Sequence, residues 1–278
     1  MILSVASGKG GTGKTTLATN LALSIDYCQF IDCDVEEPNA NIFLKTTINK
    51  AEDVTVHYPI VDKEKCDYCG KCSQFCAYNA LAVVPNNILV FPELCHSCDG
   101  CKLVCPHDAI EWNTRVIGTI EHGTSKKVDF YQGLLNVGEM QAIPVIKALK
   151  KQMNPKNTII LDAPPGTSCP VIETINTSDY CLLVTEPTPF GLHDLKLAIE
   201  VVRHLGIPFG VVINRDGIGD NRVETYCRQE NISVLLKIPE NKEIALLYSN
   251  GIAIANEHAK WRTVFSSLFQ QIQKEVSY

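Results

Sequence analysis

ILSVASGKGGTGKTT, residues 2–16, is the stretch from which the rest of the chain can be read. Ile2, Leu3, Val5 and Ala6 make a short apolar run of the kind that forms a strand buried on both faces. Gly8-Lys9-Gly10-Gly11-Thr12-Gly13-Lys14-Thr15-Thr16 follows, and residues 17–24 then read as a helix. Strand, glycine loop and helix in this order are the context of a phosphate-binding loop. The glycines let successive backbone N–H groups point inward at phosphate oxygens, and the helix amino terminus adds its positive dipole end. In the G-x4-G-K-T spacing, Lys14 is expected to contact the β- and γ-phosphates of a nucleotide, and the Thr15 hydroxyl to bind Mg²⁺. Gly8, Gly10, Gly11, Thr12, Gly13 and Thr16 are expected to complete the cradle.

Outward from that loop, composition bounds the class. The chain has 278 residues, 45% hydrophobic and 20% charged, enough for one large domain or two small ones with a real core. Lys plus Arg is 25 against Asp plus Glu 31, a net charge of -6, which argues against a protein that coats DNA through counterion release. No nucleic-acid partner is expected. No apolar run approaches the roughly 18 residues of a membrane span, and residues 1–6 carry no basic leader, so a cytoplasmic protein without a membrane partner is expected.

Thirteen cysteines in such a chain do not suit a disulfide framework, because the cytosol keeps thiols reduced. Cys66, Cys69, Cys72 and Cys76 form C-x2-C-x2-C-x3-C, and Cys95, Cys98, Cys101 and Cys105 repeat it 29 positions later. Three cysteines at two-residue intervals let one tight loop wrap three corners of a cubane iron-sulfur cluster. Zinc also takes four cysteines, but usually from paired C-x2-C hooks separated by a longer loop. His96 and His107 lie beside these runs, yet the cysteine count already closes two sites.

Residues 58–112 resemble a bacterial two-cluster ferredoxin over its full length. The resemblance implies two 4Fe-4S clusters with the fourth cysteine of each run exchanged: Cys66, Cys69, Cys72 and Cys105 around one, Cys95, Cys98, Cys101 and Cys76 around the other. Ala77 departs from the pattern, since a proline often follows the fourth cysteine.

The loop at Lys9 resembles the deviant Walker A motif of the MinD, ParA and nitrogenase iron protein superfamily. Further matches come in that family's order. Phe30-Ile31-Asp32-Cys33-Asp34 ends a second apolar strand with two carboxylates at alternate positions. Ile159-Ile160-Leu161-Asp162 has the Walker B pattern, and Ala163-Pro164-Pro165-Gly166-Thr167 resembles switch II. The resemblance implies an ATP-sandwich homodimer in which Lys9 reaches the partner subunit's phosphates, and a Mg²⁺-dependent ATPase, slow without a partner. Lys9, Lys14 and Asp34 are then the catalytic set, with Asp34 orienting the attacking water. Asp32 and Asp162 face Mg²⁺ through water, and the Gly166 amide senses the γ-phosphate. Asn214, at the end of Val211-Val212-Ile213, is expected to read adenine, with Pro239 lying along the base. Arg215 and Gly217 stand where a guanine reader needs lysine and aspartate, which favours ATP over GTP.

Elsewhere, residues 181–185 and 207–213 read as strands, and 193–205 and 223–230 as helices. Residues 133–139 read as a loop leading into a helix over 139–151. The alternation predicts an α/β fold with a mostly parallel sheet, a P-loop NTPase domain over 1–57 and 113–278, and a small α+β ferredoxin-like domain inserted at 58–112. Clusters in the insert and a nucleotide switch in the frame point to ATP-dependent dimer switching that drives low-potential electron transfer to a protein partner. Two other readings stand beside it. One is iron-sulfur cluster assembly or delivery to an accepting protein, although the spare cysteines Cys28, Cys33, Cys169, Cys181 and Cys227 include no C-x2-C pair. The other is spatial organisation at the membrane through Trp261, Phe265, Leu268, Phe269 and Ile272, a helical stripe better suited to packing on the protein's own sheet.

Overall fold

Apolar and β-branched runs form eleven strands among the residues described by the computed structural model, 1–276. In chain order these are β1 (Ile2–Ala6), β2 (Cys28–Asp32), β3 (Thr47–Val61), β4 (Leu81–Val84), β5 (Asn87–Val90), β6 (Ile110–Ser125), β7 (Val128–Leu135), β8 (Ile159–Asp162), β9 (Tyr180–Thr185), β10 (Phe209–Asp216) and β11 (Val234–Pro239). Nine of them make one sheet in the order β11-β10-β9-β1-β8-β2-β7-β6-β3, and β4 pairs with β5 alone. From β11 to β7 every neighbour is parallel, whereas β6 and β3 run antiparallel at the edge.

The parallel strands are buried on both faces, which is why they read as unbroken apolar runs. In β8, Ile160 packs with Leu17 and Leu21 of the helix Lys14–Ser24, while Ile159 and Leu161 pack on the other face with Val145, Ile146 and Leu149 of the helix Ile143–Lys150. Phe265, Leu268, Phe269 and Ile272 of the helix Ala259–Val276 are buried in the first of these layers. The apolar stripe near the carboxyl end thus packs on the protein's own sheet. Among the described residues no helix is long and apolar enough to cross a membrane.

Strands β3 and β6 are 15 and 16 residues long and pair along their whole length, from Thr47 opposite Thr124 to Val61 opposite Ile110. At about 3.4 Å per residue this ribbon spans roughly 50 Å. Its inner part joins the large sheet through β7, and its outer part continues into the cysteine segment. Positions 57/58 and 112/113 therefore lie within continuous strands.

Residues 133–135, read from sequence as part of a loop, belong to β7, and the helix after them begins at Ile143 instead of residue 139. Gly133 is in this strand because it has no room for a side chain: a Cβ would come within 2.9 Å of Val35, Val145 and Leu149. The helix starts late because Pro144 fits only its first turn.

Candidate functional site

The glycine loop emerges from β1 at the carboxyl edge of the parallel strands, where ligands bind in open α/β sheets. The helix after it begins at Lys14, whose side chain is buried. Gly13 stands immediately before with φ 96°, and a Cβ there would lie 2.3 Å from Asn214 Nδ2, so both conformation and space require glycine. Gly8 packs against the backbone of Asp194. Gly10, Gly11, Gly13, Lys14, Thr15 and Thr16 line a cleft of about 480 Å³, a size suited to a small-molecule ligand. Asp34, Asn214, Arg215, Pro239 and Tyr248 complete its walls. The buried Thr12 hydroxyl has no hydrogen-bond partner.

The three carboxylates sit in different environments. β2 ends at Asp32, so Asp34 leaves from the turn after the strand and not from its face. Asp32 holds that turn: Oδ1 accepts from the Asp34 N–H, and Oδ2 from those of Asn39 and Ala40, all at 3.1 Å. Asp162 lies directly across the ladder from Asp32, and both of its buried oxygens lack a hydrogen-bond donor. Burial pushes the Asp162 carboxyl up to about 7, while the nearby Thr15 hydroxyl and Lys14 ammonium pull the other way. Asp32 is raised well above the ordinary range by burial and then by the Asp162 charge. Asp34 is raised to about 6 by burial, with Lys14 opposing. Orphaned carboxylate oxygens beside a glycine cradle fit Mg²⁺, which takes one or two protein oxygens and completes its shell with water and phosphate.

Lys9 does not line the cleft. Its Nζ lies 3.7 Å from Oε2 of Glu186, which is buried just beyond β9 and also pairs with Arg215 at 2.8 Å. Asn214 donates from Nδ2 to the Thr12 carbonyl at 2.8 Å, so its amide nitrogen supports the loop while the residue still walls the cleft. The Gly166 N–H donates to the Ser7 carbonyl at 3.1 Å, and Pro239 ends β11 at the cleft wall.

In the cysteine segment, two helical turns, Lys71–Phe75 and Gly100–Leu103, begin 29 positions apart. Left-handed residues recur with the same offset: Tyr68 with Ser97, Asn79 with Asp108. This duplicated backbone brings the thiols into two groups. Cys66, Cys69, Cys72 and Cys105 line one cavity; Cys76, Cys95, Cys98 and Cys101 line the other, with Trp112 beside them. The Ala80 N–H points at the Cys76 Sγ and the Ala109 N–H at the Cys105 Sγ, each at 3.3 Å, and Ser97 N–H reaches Cys95 Sγ at 3.4 Å. Amides aimed at sulfur stabilise thiolate, a fit to a cluster's ligands. Burial, with smaller contributions from neighbouring cysteines, raises the Cys72 and Cys95 thiols and takes Cys101 to about 11. Cationic charge in the cavities would offset that cost. Among the described residues no three His, Cys, Asp or Glu side chains converge closely enough to hold a single metal ion. All thirteen cysteines are free, and His96 stacks on Tyr78 while His107 pairs with Asp67.

Three contributors escaped the reading from sequence. Glu186 had a visible signal, since Leu182-Leu183-Val184-Thr185-Glu186 ends an apolar strand in a carboxylate just as the Asp162 strand does. Gln141, which donates to the Cys95 carbonyl at 2.8 Å, and Arg115, which donates to the Pro92 carbonyl at 3.1 Å, had none.

A family model described as the CobQ/CobB/MinD/ParA nucleotide binding domain matches residues 3–254. An uncharacterized protein of Methanocaldococcus jannaschii is 33% identical over 264 residues, 90% of this chain and 90% of that one. A Pyrococcus furiosus protein named an iron-sulfur cluster carrier protein is 22% identical over 260 residues, covering 85% of this chain and 73% of that one. Among solved structures, the septum site-determining protein MinD of Pyrococcus horikoshii, complexed with Mg-ADP, is similar with a TM-score of 0.61 at 18% identity, over 98% of this chain and 96% of that one. At that identity the likeness concerns the fold, an α/β arrangement around a mostly parallel sheet.

Proposed function

Because the chain belongs to the CobQ/CobB/MinD/ParA family of nucleotide-binding proteins, we propose that it is a Mg²⁺-dependent ATPase whose nucleotide-driven homodimer switching gates low-potential electron transfer from two 4Fe-4S clusters to a protein partner. One observation carries the proposal: two four-thiol cavities sit at the outer end of a ribbon whose inner end is part of the nucleotide-binding sheet.

The loop amides from Gly10 to Thr16 cradle the phosphates of ATP, and Lys14 neutralises their charge. Thr15 and Asp162 would hold Mg²⁺, which would neutralise phosphate charge there, with Asp32 beside them, and Asp32 fixes the turn bearing Asp34. As a carboxylate, Asp34 orients the attacking water. Lys9 leaves Glu186 and reaches the phosphates bound by the partner subunit, stabilising charge that develops in the transition state. Gly166 exchanges the Ser7 carbonyl for a γ-phosphate oxygen. Bound in the two cavities, the clusters would supply one-electron transfer. Cys66, Cys69, Cys72 and Cys105 would ligate one, and Cys76, Cys95, Cys98 and Cys101 the other, under the amides of Ala80, Ser97 and Ala109.

The cysteine segment carries four lysines against seven carboxylates, so its docking face favours a basic partner and weakens with salt. A second reading, cluster delivery to an acceptor, is favoured by exposed Cys169, which begins the helix Cys169–Ile175 just past Gly166. Anaerobic electron transfer to a partner captured from its own cell extract, measured with ATP, ADP and no nucleotide, separates the two. Gated transfer without loss of iron is expected. Transfer independent of nucleotide, with iron moving to the acceptor, would give delivery the first place.

A further inference from the structure

The loop between β7 and the helix Ile143–Lys150 touches one cysteine cavity and not the other. Gln141 in that loop donates to the Cys95 carbonyl at 2.8 Å. Glu139, also in the loop, pairs with Arg115, which donates to the Pro92 carbonyl three residues before Cys95. Both members of that pair are largely shielded, with 15% and 14% of their side chains exposed. The loop's other end is fastened beside the ATP site: the Leu135 N–H donates to the Val35 carbonyl at 2.8 Å, and Val35 directly follows Asp34. The first cavity is lined only by residues between Val61 and Ile110. Val61 and Ile110 face each other two rungs beyond Pro59 and Trp112, and Trp112 lines the second cavity. The second cavity is thus about 7 Å nearer the nucleotide-binding body along the ribbon.

Resting on the cluster-bearing reading above, we infer that nucleotide state acts on the Cys76, Cys95, Cys98 and Cys101 cage and not on its twin, with Gln141 and Arg115 as the positioning residues that carry the effect. When the turn at Asp34 responds to the γ-phosphate, Val35 moves the start of the loop. Gln141 and Arg115 then reorient the carbonyls of Cys95 and Pro92. Carbonyl dipoles and hydrogen bonds around cluster sulfurs are levers on reduction potential. Linkage requires that reduction of this cage alter ATP affinity by the matching factor. A tenfold coupling corresponds to about 59 mV for a one-electron couple.

The test is a redox titration of the anaerobically purified full chain, followed by electron paramagnetic resonance, with ADP and with a non-hydrolysable ATP analogue. Cys69→Ser and Cys98→Ser, at exposed ligands of the first and second cages, identify the two signals. One potential is expected to shift with nucleotide, and that signal to be altered by Cys98→Ser and unaffected by Cys69→Ser. Gln141→Leu should abolish the shift and the redox dependence of ATP affinity while the iron and sulfide content stays at the wild-type level; Gln141→Lys, which keeps a donor, should restore part of it. Equal shifts in both cages, a shift confined to the first cage, or an unchanged shift in Gln141→Leu would overturn the inference while leaving the clusters in place. Wild-type protein lacking clusters altogether would overturn the reading on which it rests.

Discussion

Asp162→Asn should stabilise the metal-free protein, and by an amount that grows with pH. In the folded chain the Asp162 carboxyl is buried, lacks a hydrogen-bond donor on either oxygen and titrates near 7. An unfolded chain loses the same proton near 4, as any exposed aspartate does. Between those values the folded state holds one proton more than the unfolded state. Stability contributed by the protonated acid is therefore complete below about pH 4 and lost progressively up to pH 7. The slope for one proton is about 1.4 kcal/mol per pH unit, so from pH 5 to pH 7 the wild type should lose about 2 to 3 kcal/mol that the variant keeps. Asparagine still buries an amide, but that cost does not change with pH and shifts the whole curve without altering its slope. Removing the Asp162 charge also relieves Asp32, which strengthens the effect in the same direction. For a chain of this size each kcal/mol moves the unfolding midpoint by about 2 to 4 °C, a divergence of roughly 4 to 12 °C. Anaerobic thermal unfolding of both proteins from pH 5 to pH 8 without divalent cation measures it. Adding Mg²⁺ and ATP should cancel the fall in the wild type and leave the slope of the variant's profile unchanged. Parallel profiles for the two proteins would refute the buried, unpaired carboxylate.

Asp34→Ala should slow ATP turnover by at least about 100-fold while ATP-bound dimers accumulate, as seen by steady-state hydrolysis and sedimentation; in the wild type, turnover should fall as pH drops through about 6, where Asp34 is protonated. Glu186→Gln releases Lys9 from a partly exposed pair of about 0.5 to 1 kcal/mol in each subunit, so ATP-dependent dimers should form at roughly five- to thirtyfold lower protein concentration in ultracentrifugation. Wild-type protein should contain about eight irons and eight acid-labile sulfides per chain, and Cys76→Ala should damage the signal marked by Cys98→Ser rather than the one marked by Cys69→Ser.

How much of this could be read without coordinates depended on the reach of each interaction. The glycine loop and the Asp162 strand were legible because their patterns are local: a turn needing positive φ at Gly13, and an apolar run ending in a carboxylate. Residues 133–135 were not, because Gly133 and its neighbours owe their extended form to pairing with β6 on one side and, on the other, to Val35, whose carbonyl accepts from the Leu135 N–H and whose side chain packs on Gly133. Asp32 was expected to face the metal from the family resemblance, and nothing in the local sequence foresees three backbone N–H groups folding back onto its carboxylate. Gln141 lies 46 positions from the carbonyl it meets, and nothing in its neighbourhood along the chain marks it. The ribbon escaped notice for a similar reason, since residues 47–53 look polar and gain strand character only from pairing with 119–124.

The sheet order also sets a timetable for synthesis. β1 pairs with β8 and β9, and β2 with β7 and β8, so the first two strands leave the ribosome with no neighbours to join. Both thiol cages and every rung of the β3–β6 ladder are encoded between residues 47 and 125, before the first residue of β7 exists. Domains generally fold as units, earliest-synthesised first. On the growing chain, the cysteine-bearing unit has all its strands and thiols while the parallel sheet still lacks the strand that ends in Asp162.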